Sequence, residues 1–201
     1  SKSYYIENPI AKRFVSKFSL SESELKDLSN YCKKIDIDFC STPYSKNEVD
    51  FLVNNRVPYI KVASMDLNNY HYLRYIASTG MPIVLSTGMG NIEEIEQAVK
   101  VVESEKNYNL CLLHCVSIYP PDISTIRLNN IIGLREKFPS YPIGYSDHSQ
   151  GVDIATAAVA LGATVIEKHF VLDRSAGGVD AAFSLEPAEL KMLVTESERA
   201  W

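Results

Sequence analysis

The chain has 201 residues, of which 46% are hydrophobic and 22% are charged, so it can build one packed domain and is short for two. The formal net charge of −5, with both signs scattered along the chain, gives no electrostatic footprint for nucleic acid or an anionic membrane. No apolar stretch approaches the roughly 20 residues of a membrane helix, and the first residues lack the apolar run of a secretory signal.

The pattern of the chain predicts a repeated unit of strand, polar turn and helix. Residues 1–20 have no clear period and are expected to be irregular. Ser21 opens the first helix, because it can cap the N-terminus while Glu24 stands at the capping-box position. Strands are predicted at 35–41, 59–64, 82–87, 110–116, 141–146 and 165–169, and helices at 22–34, 46–55, 70–78, 92–105, 126–137, 154–161 and 187–199.

These elements predict an α/β fold of the TIM (β/α)8 type with about six parallel strands. Strands that are separated by helices must pair in parallel through right-handed crossovers. The first helix has no strand ahead of it, so the barrel is expected to lack its first two strands and the chain to be part of a longer protein. An open doubly wound sheet is the alternative, although no strand is followed by a convincing dinucleotide glycine pattern.

The four cysteines are predicted to be free thiols in a reducing, cytoplasmic compartment. Cys111 and Cys115 fall in one predicted strand about 13 Å apart, at ~3.3 Å per residue, which is too far for a disulfide. Cys32 falls in a helix and Cys40 in another strand, and none of the spacings suits a zinc site.

Each predicted strand ends in a polar or ionisable cluster, at the edge where a parallel barrel builds its active site. The clusters lie at 40–42, 61–64, 86–87, 114–117, 146–148 and 167–169. Buried strands do not need hydroxyls, a lysine and histidines at their ends for packing. The placement therefore predicts catalytic or binding chemistry.

His148 and His169 form the strongest pair, because each ends a strand. Two imidazoles at neighbouring strand ends can bind a divalent cation and leave positions open for water and substrate. Two hydrogen-bonded core histidines are the alternative. His114 lies within its strand, where it could simply fill the barrel interior.

Lys61 is the second signal, because a lysine inside a buried strand is costly unless it meets an anion or forms a covalent adduct. A Schiff-base lysine needs a dry, apolar pocket, and a lysine whose ammonium reaches solvent would have no role. The neighbouring hydroxyls favour a phosphate or carboxylate anchor, and they belong to Thr42, Ser64, Ser86, Ser117 and Ser146.

Two loop carboxylates could bind sugar hydroxyls or act as acid and base: Asp66 follows one strand, and Asp180 lies in the polar loop after the last strand. Gly88 and Gly90 follow Ser86 and Thr87, where backbone N–H groups could approach a phosphate. Each of these signals is weak by itself.

The strand ends as a set resemble the sialic acid synthases, a family that includes the N-acetylneuraminate, legionaminate and pseudaminate synthases. The resemblance runs in order from about residue 20 to the end. It is carried by STP at 41–43, YIKVAS at 59–64, LSTGM at 85–89, LHC at 113–115 with YP at 119–120, GYSDH at 144–148, AVALGA at 158–163, IEKHF at 166–170 and FSL at 183–185.

The resemblance implies a TIM-barrel transferase that condenses phosphoenolpyruvate with an N-acetylated amino sugar, releasing phosphate and making a nine-carbon 2-keto acid. It implies a divalent metal, manganese or magnesium, on His148 and His169. Asp66, Tyr119 and Asp180 fall on positions that contact the sugar and are the expected catalytic residues. Phosphoenolpyruvate contacts would fall on Thr42, Lys61, Ser64, Ser86, Ser117 and Ser146.

Two positions depart from patterns common in the family, which often has glutamate where this chain has Asp66, and in some members asparagine where it has Ser117. Both departures bear on sugar preference. The family also has two further strands before this segment and an antifreeze-like domain after it that reaches across a homodimer. Without them the chain is expected to be inactive alone and prone to associate through exposed barrel edges.

Two other functions stay open. A 3-deoxy-heptulosonate-type synthase would take a phosphorylated aldose and would need a second, arginine-rich phosphate site, yet Arg127, Arg135 and Arg174 do not cluster at any strand end. A non-catalytic module derived from the barrel would bind neither phosphoenolpyruvate nor metal.

Overall fold

The computed structural model describes Ser16 and residues 19–201, so the irregular segment predicted for 1–20 lies almost wholly outside the described residues. Within the described range the strands are β1 (Ile60–Val62), β2 (Ile83–Ser86), β3 (Leu110–Cys115), β4 (Ile143–Asp147) and β5 (Ile166–Lys168). The helices there are α1 (Glu22–Lys34), α2 (Lys46–Asn54), α3 (Tyr70–Ser78), α4 (Ile92–Ser104), α5 (Asn129–Lys137), α6 (Asp153–Ala160) and α7 (Pro187–Ala200).

Side-chain caps fix the starts of several helices. Ser21 and Glu24 form the predicted capping box at α1, and Asn91 with Glu94 forms another at α4. Glu186 caps α7 in the same reciprocal way, with proline at the first helical position. Each cap satisfies backbone N–H groups that have no partner within the helix, so these starts are set locally by the sequence.

The sheet topology supports a barrel and excludes the doubly wound alternative for the described strands. All neighbouring strands pair in parallel, and their spatial order, β1-β2-β3-β4-β5, is their order along the chain. A doubly wound sheet reverses its strand order at a switch point, and no reversal occurs here. The five strands form a curled half-barrel with helices on its outer side.

The two faces of the sheet have different chemistry. The hydrophobic core lies between the outer face and the helices, and it includes Ile60, Leu85, Leu112, Ile143 and Tyr145. Because side chains alternate along a strand, the residues next to these point to the inner face. Lys61, Ser86 and Ser146 therefore lie on the inner face, at the polar strand ends.

The strand predicted at 35–41 is wrong: these residues form no strand in the structure. Asp36 has a left-handed backbone with φ of 58° directly after α1, and among the described backbone hydrogen bonds none joins residues 38–42 to β1. A β-strand needs a ladder partner, so an apolar, β-prone run without one remains irregular. The half-barrel thus has five strands among the described residues, one fewer than expected.

Other differences are shifts of boundaries. A 3₁₀ turn at Ile123–Thr125 delays the helix predicted from 126, which begins at Asn129. The fourth strand runs to Asp147, one residue beyond its predicted end, and the loop after β5 contains two 3₁₀ turns. All four cysteines are free, as predicted. Among the described residues, no helix is both long and apolar enough to cross a membrane.

Candidate active site

Lys61 lies on the inner face of β1 with its ammonium buried, and only 8% of the residue is exposed. The Nζ atom donates hydrogen bonds to Ser86 Oγ on β2 at 2.9 Å and to the Val62 carbonyl at 3.2 Å. It lies 3.5 Å from Glu167 Oε2 on β5. A charged amine in this position meets hydrogen-bond acceptors and one carboxylate, which satisfies the demands of a buried cation.

Glu167 joins the two sides of the half-barrel. One carboxylate oxygen faces Lys61, and the other accepts a 2.6 Å hydrogen bond from Ser146 Oγ on β4. The Glu167 side chain is 41% exposed, so it borders open space inside the half-barrel. Lys61, Ser86, Ser146 and Glu167 therefore form one connected polar network at the strand ends.

His148 follows β4 and is buried, with one ring nitrogen already engaged. Its Nδ1 lies 3.1 Å from the Val116 carbonyl, and a carbonyl can only accept, so Nδ1 carries the proton. Burial lowers the pKa of His148, while the Val116 carbonyl and the carboxylates of Glu167 and Asp147 oppose that shift. The ring is thus neutral at pH 7, with the lone pair on Nε2.

His169 follows β5 and faces His148, with the two ring centroids 5.3 Å apart. Its Nδ1 lies 3.5 Å from Asp180 Oδ2, which comes from the loop after β5. Burial lowers the pKa of His169, and Asp180 and Glu167 oppose that effect. The structure therefore brings together three predicted residues, His148, His169 and Asp180, within reach of the Glu167 charge.

Aromatic rings form one wall of this histidine pair. The Tyr119 ring lies 4.0 Å from the His148 ring and 6.0 Å from that of His169, and Phe183 lies 5.0 Å from His169. Tyr119 is itself 52% exposed. Its hydroxyl-bearing ring is thus placed beside both imidazoles and open to a ligand.

Ser64 and Ser117 flank a close approach of the backbone at Gly88. The Gly88 N–H donates to Ser64 Oγ at 3.0 Å. A Cβ on Gly88 would lie 2.6 Å from the Cys115 carbonyl and 2.7 Å from Ser117 Oγ, so a side chain cannot be accommodated. The turn after β2 therefore requires glycine, and it ties the ends of β1, β2 and β3 together.

Two predicted site residues are not joined to this cluster. Asp66 accepts a 3.0 Å hydrogen bond from Asn69 Nδ2 in its own loop. Thr42 is half-buried just ahead of α2, and none of the hydrogen bonds in the described part of the chain connects it to Lys61 or to the histidines. Their roles in substrate binding remain predictions.

Three charged residues have roles that the sequence patterns did not predict. Glu167 lies one strand period from His169 and therefore shares its face. Lys168 and Asp147 point to the opposite face, where their side chains are 4% and 0% exposed and meet at 2.6 Å. Lys168 also donates to the Ser149 carbonyl, and this buried pair fastens the chain around His148 to β5.

His114 does not fill the barrel interior. It lies on the outer face of β3, with its ring 5.6 Å from that of Tyr145. Its Nε2 is buried and has no hydrogen-bond partner among the described residues. The histidine pair of the inner face is thus chemically separate from His114.

The histidine pair fits a divalent metal that keeps open positions. The hydrogen bond from His148 Nδ1 to a carbonyl is the arrangement that orients a metal-binding imidazole, and both rings are neutral donors. In the described part of the chain no group of three His, Cys, Asp or Glu residues is arranged to hold a metal ion. Two imidazoles are therefore what these residues would supply, with water or substrate at the other positions.

Comparisons with known proteins give a consistent relationship. The model of the NeuB family matches residues 3–201. The chain is 42% identical to the N,N'-diacetyllegionaminic acid synthase of Campylobacter jejuni over 186 residues, which are 92% of this chain and 55% of that enzyme. It is 41% identical to the N-acetylneuraminate-9-phosphate synthase of Drosophila melanogaster over 175 residues, 87% of this chain and 47% of that enzyme. The chain spans about half the length of these relatives.

Comparison with solved structures gives the same family relationship and the same fold. The N-acetylneuraminic acid synthetase of Leptospira borgpetersenii, crystallised with citrate, superposes with a TM-score of 0.93 and 39% identity, covering 96% of this chain and 67% of that one. A 3-deoxyheptulosonate-type synthase of Thermotoga maritima matches with a TM-score of 0.78 at 17% identity, covering 89% of this chain and 55% of that one, which indicates a shared fold. The chain belongs to the NeuB family.

Proposed function

We propose that the protein containing this chain condenses phosphoenolpyruvate with an N-acetylated amino sugar to give a nine-carbon 2-keto acid, in the cytoplasmic synthesis of sialic-acid-type surface carbohydrates. The amino sugar is N-acetylmannosamine or a 2,4-diacetamido hexose. The observation that supports this most is the network in which Lys61 meets Ser86 and Glu167 beside the paired rings of His148 and His169.

The polar network suits an anion with two charged groups. Lys61 and the hydroxyls of Ser86, Ser146 and Ser64 offer donors for the phosphate and carboxylate of phosphoenolpyruvate, and a charge-assisted bond of this kind contributes about 1.5–3 kcal/mol. Holding both groups would orient carbon 3 of phosphoenolpyruvate toward the histidine pair. Positioning of this kind is a large part of the rate enhancement in a bimolecular condensation.

The reaction balances without a redox partner. Carbon 3 of phosphoenolpyruvate forms a bond to the aldehyde carbon of the open-chain sugar, and the aldehyde oxygen takes a proton and becomes a hydroxyl. Water adds at carbon 2, and the bond between carbon 2 and the phosphate oxygen breaks, leaving the keto group. A divalent metal on His148 and His169 would polarise the aldehyde, while Tyr119, Asp180 and Asp66 would contact the sugar.

The 3-deoxy-heptulosonate-type alternative is disfavoured by the arginines. Arg174 pairs with Glu186 and Glu189, and Arg135 bonds to the Leu161 carbonyl. Arg127 bonds to the carbonyls of Ser124 and Ile126 in its own loop. None of these contacts in the described part of the chain places a guanidinium beside Lys61 or the histidines to take a second phosphate.

The test is an assay of the complete protein with phosphoenolpyruvate, N-acetylmannosamine or a 2,4-diacetamido hexose, and Mn²⁺. We expect release of phosphate that depends on sugar and metal, with formation of a 2-keto acid detected by mass spectrometry. Label in the bridging oxygen of phosphoenolpyruvate should appear in the phosphate, because the carbon–oxygen bond breaks. Turnover with a phosphorylated aldose instead would support the alternative enzyme.

Calorimetric titration with phosphoenolpyruvate distinguishes the two candidate synthases from a non-catalytic binding module. We expect phosphoenolpyruvate to bind in a metal-dependent way, and absence of binding would contradict the synthase. The 201-residue chain alone is expected to be inactive, since it spans only about half the length of the relatives that it matches. Full phosphate release by the isolated chain would refute this. A homodimer of the complete protein also remains a prediction.

A further inference from the structure

A second cleft lies on the outer side of the sheet, next to the candidate active site. It has a volume of about 600 Å³ and runs between α4 and α5 beside the end of β3. Ser117 lines it, as do Gly88 and Gly90 of the predicted phosphate turn, whereas Lys61, Ser146 and both site histidines are not among its lining residues. A volume of this size is typical of sites for small molecules.

The floor of the cleft contains a buried polar atom without a partner. His114 lines the cleft, is 6% exposed, and its Nε2 finds no hydrogen bond among the described residues. Burial lowers the pKa of His114 to about 4. The Arg127 backbone, which accepts a hydrogen bond from the ring, opposes this lowering. The ring is neutral at pH 7 with an acceptor lone pair, and leaving such a group unpaired costs about 1–3 kcal/mol.

The wall that α5 contributes is opened by a glycine. Gly133 lies in the middle of the helix, where glycine costs about 1 kcal/mol relative to alanine. A Cβ at this position would meet no atom within 4 Å, so no neighbour in the structure requires glycine. The absence of a side chain is what leaves the cleft open.

The remaining lining has positive charge and exposed apolar surface. Arg127 and Lys137 line the cleft, and none of its described lining residues is acidic, although Lys137 pairs with Glu96 nearby. Ile92 and Ile118 are 39% and 52% exposed at its edge. A ligand that suits this lining has an anionic group, a hydroxyl donor and a nonpolar carbon face.

We propose that the cleft between α4 and α5 is a binding site for a hydroxylated organic acid, whose anionic group meets Arg127 and Lys137 and whose hydroxyl donates to His114 Nε2. The proposed site adjoins the candidate active site at Gly88 and Ser117, while His114 lies on the opposite face of β3. Its carbon skeleton would pack against Ile92 and Ile118.

The test is calorimetric titration of the complete protein with D-gluconate, in the presence of saturating phosphoenolpyruvate and Mn²⁺ so that the inner site is occupied. D-Sorbitol is the matched probe, because it has the hydroxyls without the carboxylate. We expect saturable gluconate binding and at least about tenfold weaker sorbitol binding, which corresponds to about 1.4 kcal/mol. Gluconate binding no tighter than sorbitol binding, or no saturable binding, would overturn the proposal.

Substitutions in the cleft test whether gluconate binds there. Gly133→Leu fills the open space and should weaken gluconate binding about tenfold or more, whereas Gly133→Ala should change it less than about threefold. Arg127→Gln should also weaken binding, while Arg56→Gln, at an exposed position outside the cleft, should not. Circular dichroism confirms that each variant is folded. Unchanged affinity in both Gly133→Leu and Arg127→Gln would refute this location.

Discussion

At the residue scale, Lys61 owes its role to the groups that surround its ammonium. The buried amine meets Ser86 Oγ and Glu167, and in the proposed reaction it would exchange part of this network for a substrate anion. The sequence predicted a lysine within a buried strand. It could not predict the network, because neither Ser86 nor Glu167 lies near Lys61 in the sequence.

Replacement of Lys61 tests this arrangement. Lys61→Met should weaken phosphoenolpyruvate binding about 10- to 100-fold, because one charge-assisted contact of about 1.5–3 kcal/mol is lost. Lys100→Met, on the exposed side of α4, is the matched control and should leave the affinity unchanged. Titration calorimetry with Mn²⁺ present measures both. An affinity of Lys61→Met within about threefold of the original protein would contradict the anchor role.

His114 predicts a pH dependence of stability. Its pKa is lowered by burial to about 4 from the ordinary value of 6.5, so the unfolded chain binds a proton between these values and the folded chain does not. Stability therefore falls as the pH drops from 6.5 to 4, by about 3 kcal/mol from this group. The contribution is fully present above pH 6.5.

Urea unfolding at pH 7 and pH 4 measures this effect. In His114→Gln, which cannot take up the proton, the loss of stability between the two pH values should be smaller by about 3 kcal/mol. Comparison with the unmodified protein removes the contributions of the other histidines. Equal losses in the two proteins would show that His114 is protonated alike in both states.

At the scale of elements, the pairing of β4 with β5 determines the geometry of the histidines. Asp147 and Lys168 are register partners, and their buried ion pair sits on the face opposite to Ser146 and Glu167. Each of the two histidines comes one residue later in the chain. The ion pair therefore lies directly beside the two histidines. Because side chains alternate along a strand, the ion pair and the histidines point to opposite faces of the sheet.

We expect the two members of this pair to be strongly coupled. Asp147→Asn and Lys168→Met should each reduce stability by about 3–5 kcal/mol, since each leaves one charge buried without its partner. The double variant should be less destabilised than the sum of the single variants by about 2 kcal/mol. Chemical unfolding of the four proteins measures the coupling.

The exposed pair of Glu196 and Arg199 on α7 provides the control for this cycle. Its coupling should be about 0.5 kcal/mol or less, because solvent screens a surface ion pair. Equal coupling energies for the buried and the exposed pair would contradict the importance of burial. In Asp147→Asn the side-chain oxygen can still accept a hydrogen bond from the Ser149 N–H. The double-mutant cycle therefore measures the interaction between the two charges.

At the scale of the whole molecule, the half-barrel exposes an apolar surface on α1 and the residues that follow it. Leu28, Tyr31, Ile35 and Ile37 are 43%, 59%, 45% and 59% exposed. The first three lie on one face of α1 and its end, because residues three and four apart share a helix face. Such a surface favours association, and so does the edge of β1, which has no partner strand among the described residues.

Sedimentation velocity at increasing concentration tests this prediction on the 201-residue chain. The original chain should associate as its concentration rises, and the variant with both Ile35→Lys and Ile37→Lys should associate less, because charges on the surface disfavour contact. Leu172→Lys, which changes a 79% exposed residue in a loop, is the control and should behave like the original chain. Identical sedimentation of the double variant and the original chain would contradict the prediction.

Much of the fold was predictable because it depends on local signals. The apolar runs that became β1 to β5, and the caps at α1, α4 and α7, are set by neighbours in the sequence. The run at 35–41 had the same local signals and formed no strand, because a strand depends on a partner that local composition cannot supply. The polar strand ends also predicted that Lys61, Ser86, Ser146 and the histidines gather at one edge of the sheet.

By itself the sequence determined the order of the elements, the polar strand ends and the resemblance to the sialic acid synthases, all of which follow from periodicity and short motifs. Only the tertiary structure decided that Glu167 bridges Lys61 and Ser146, that the Val116 carbonyl fixes the proton on His148, and that His114 faces a cleft on the outer side. The physical reason is distance along the chain. These contacts join residues on different strands, and the curvature of the sheet, which no single segment encodes, determines which of them meet.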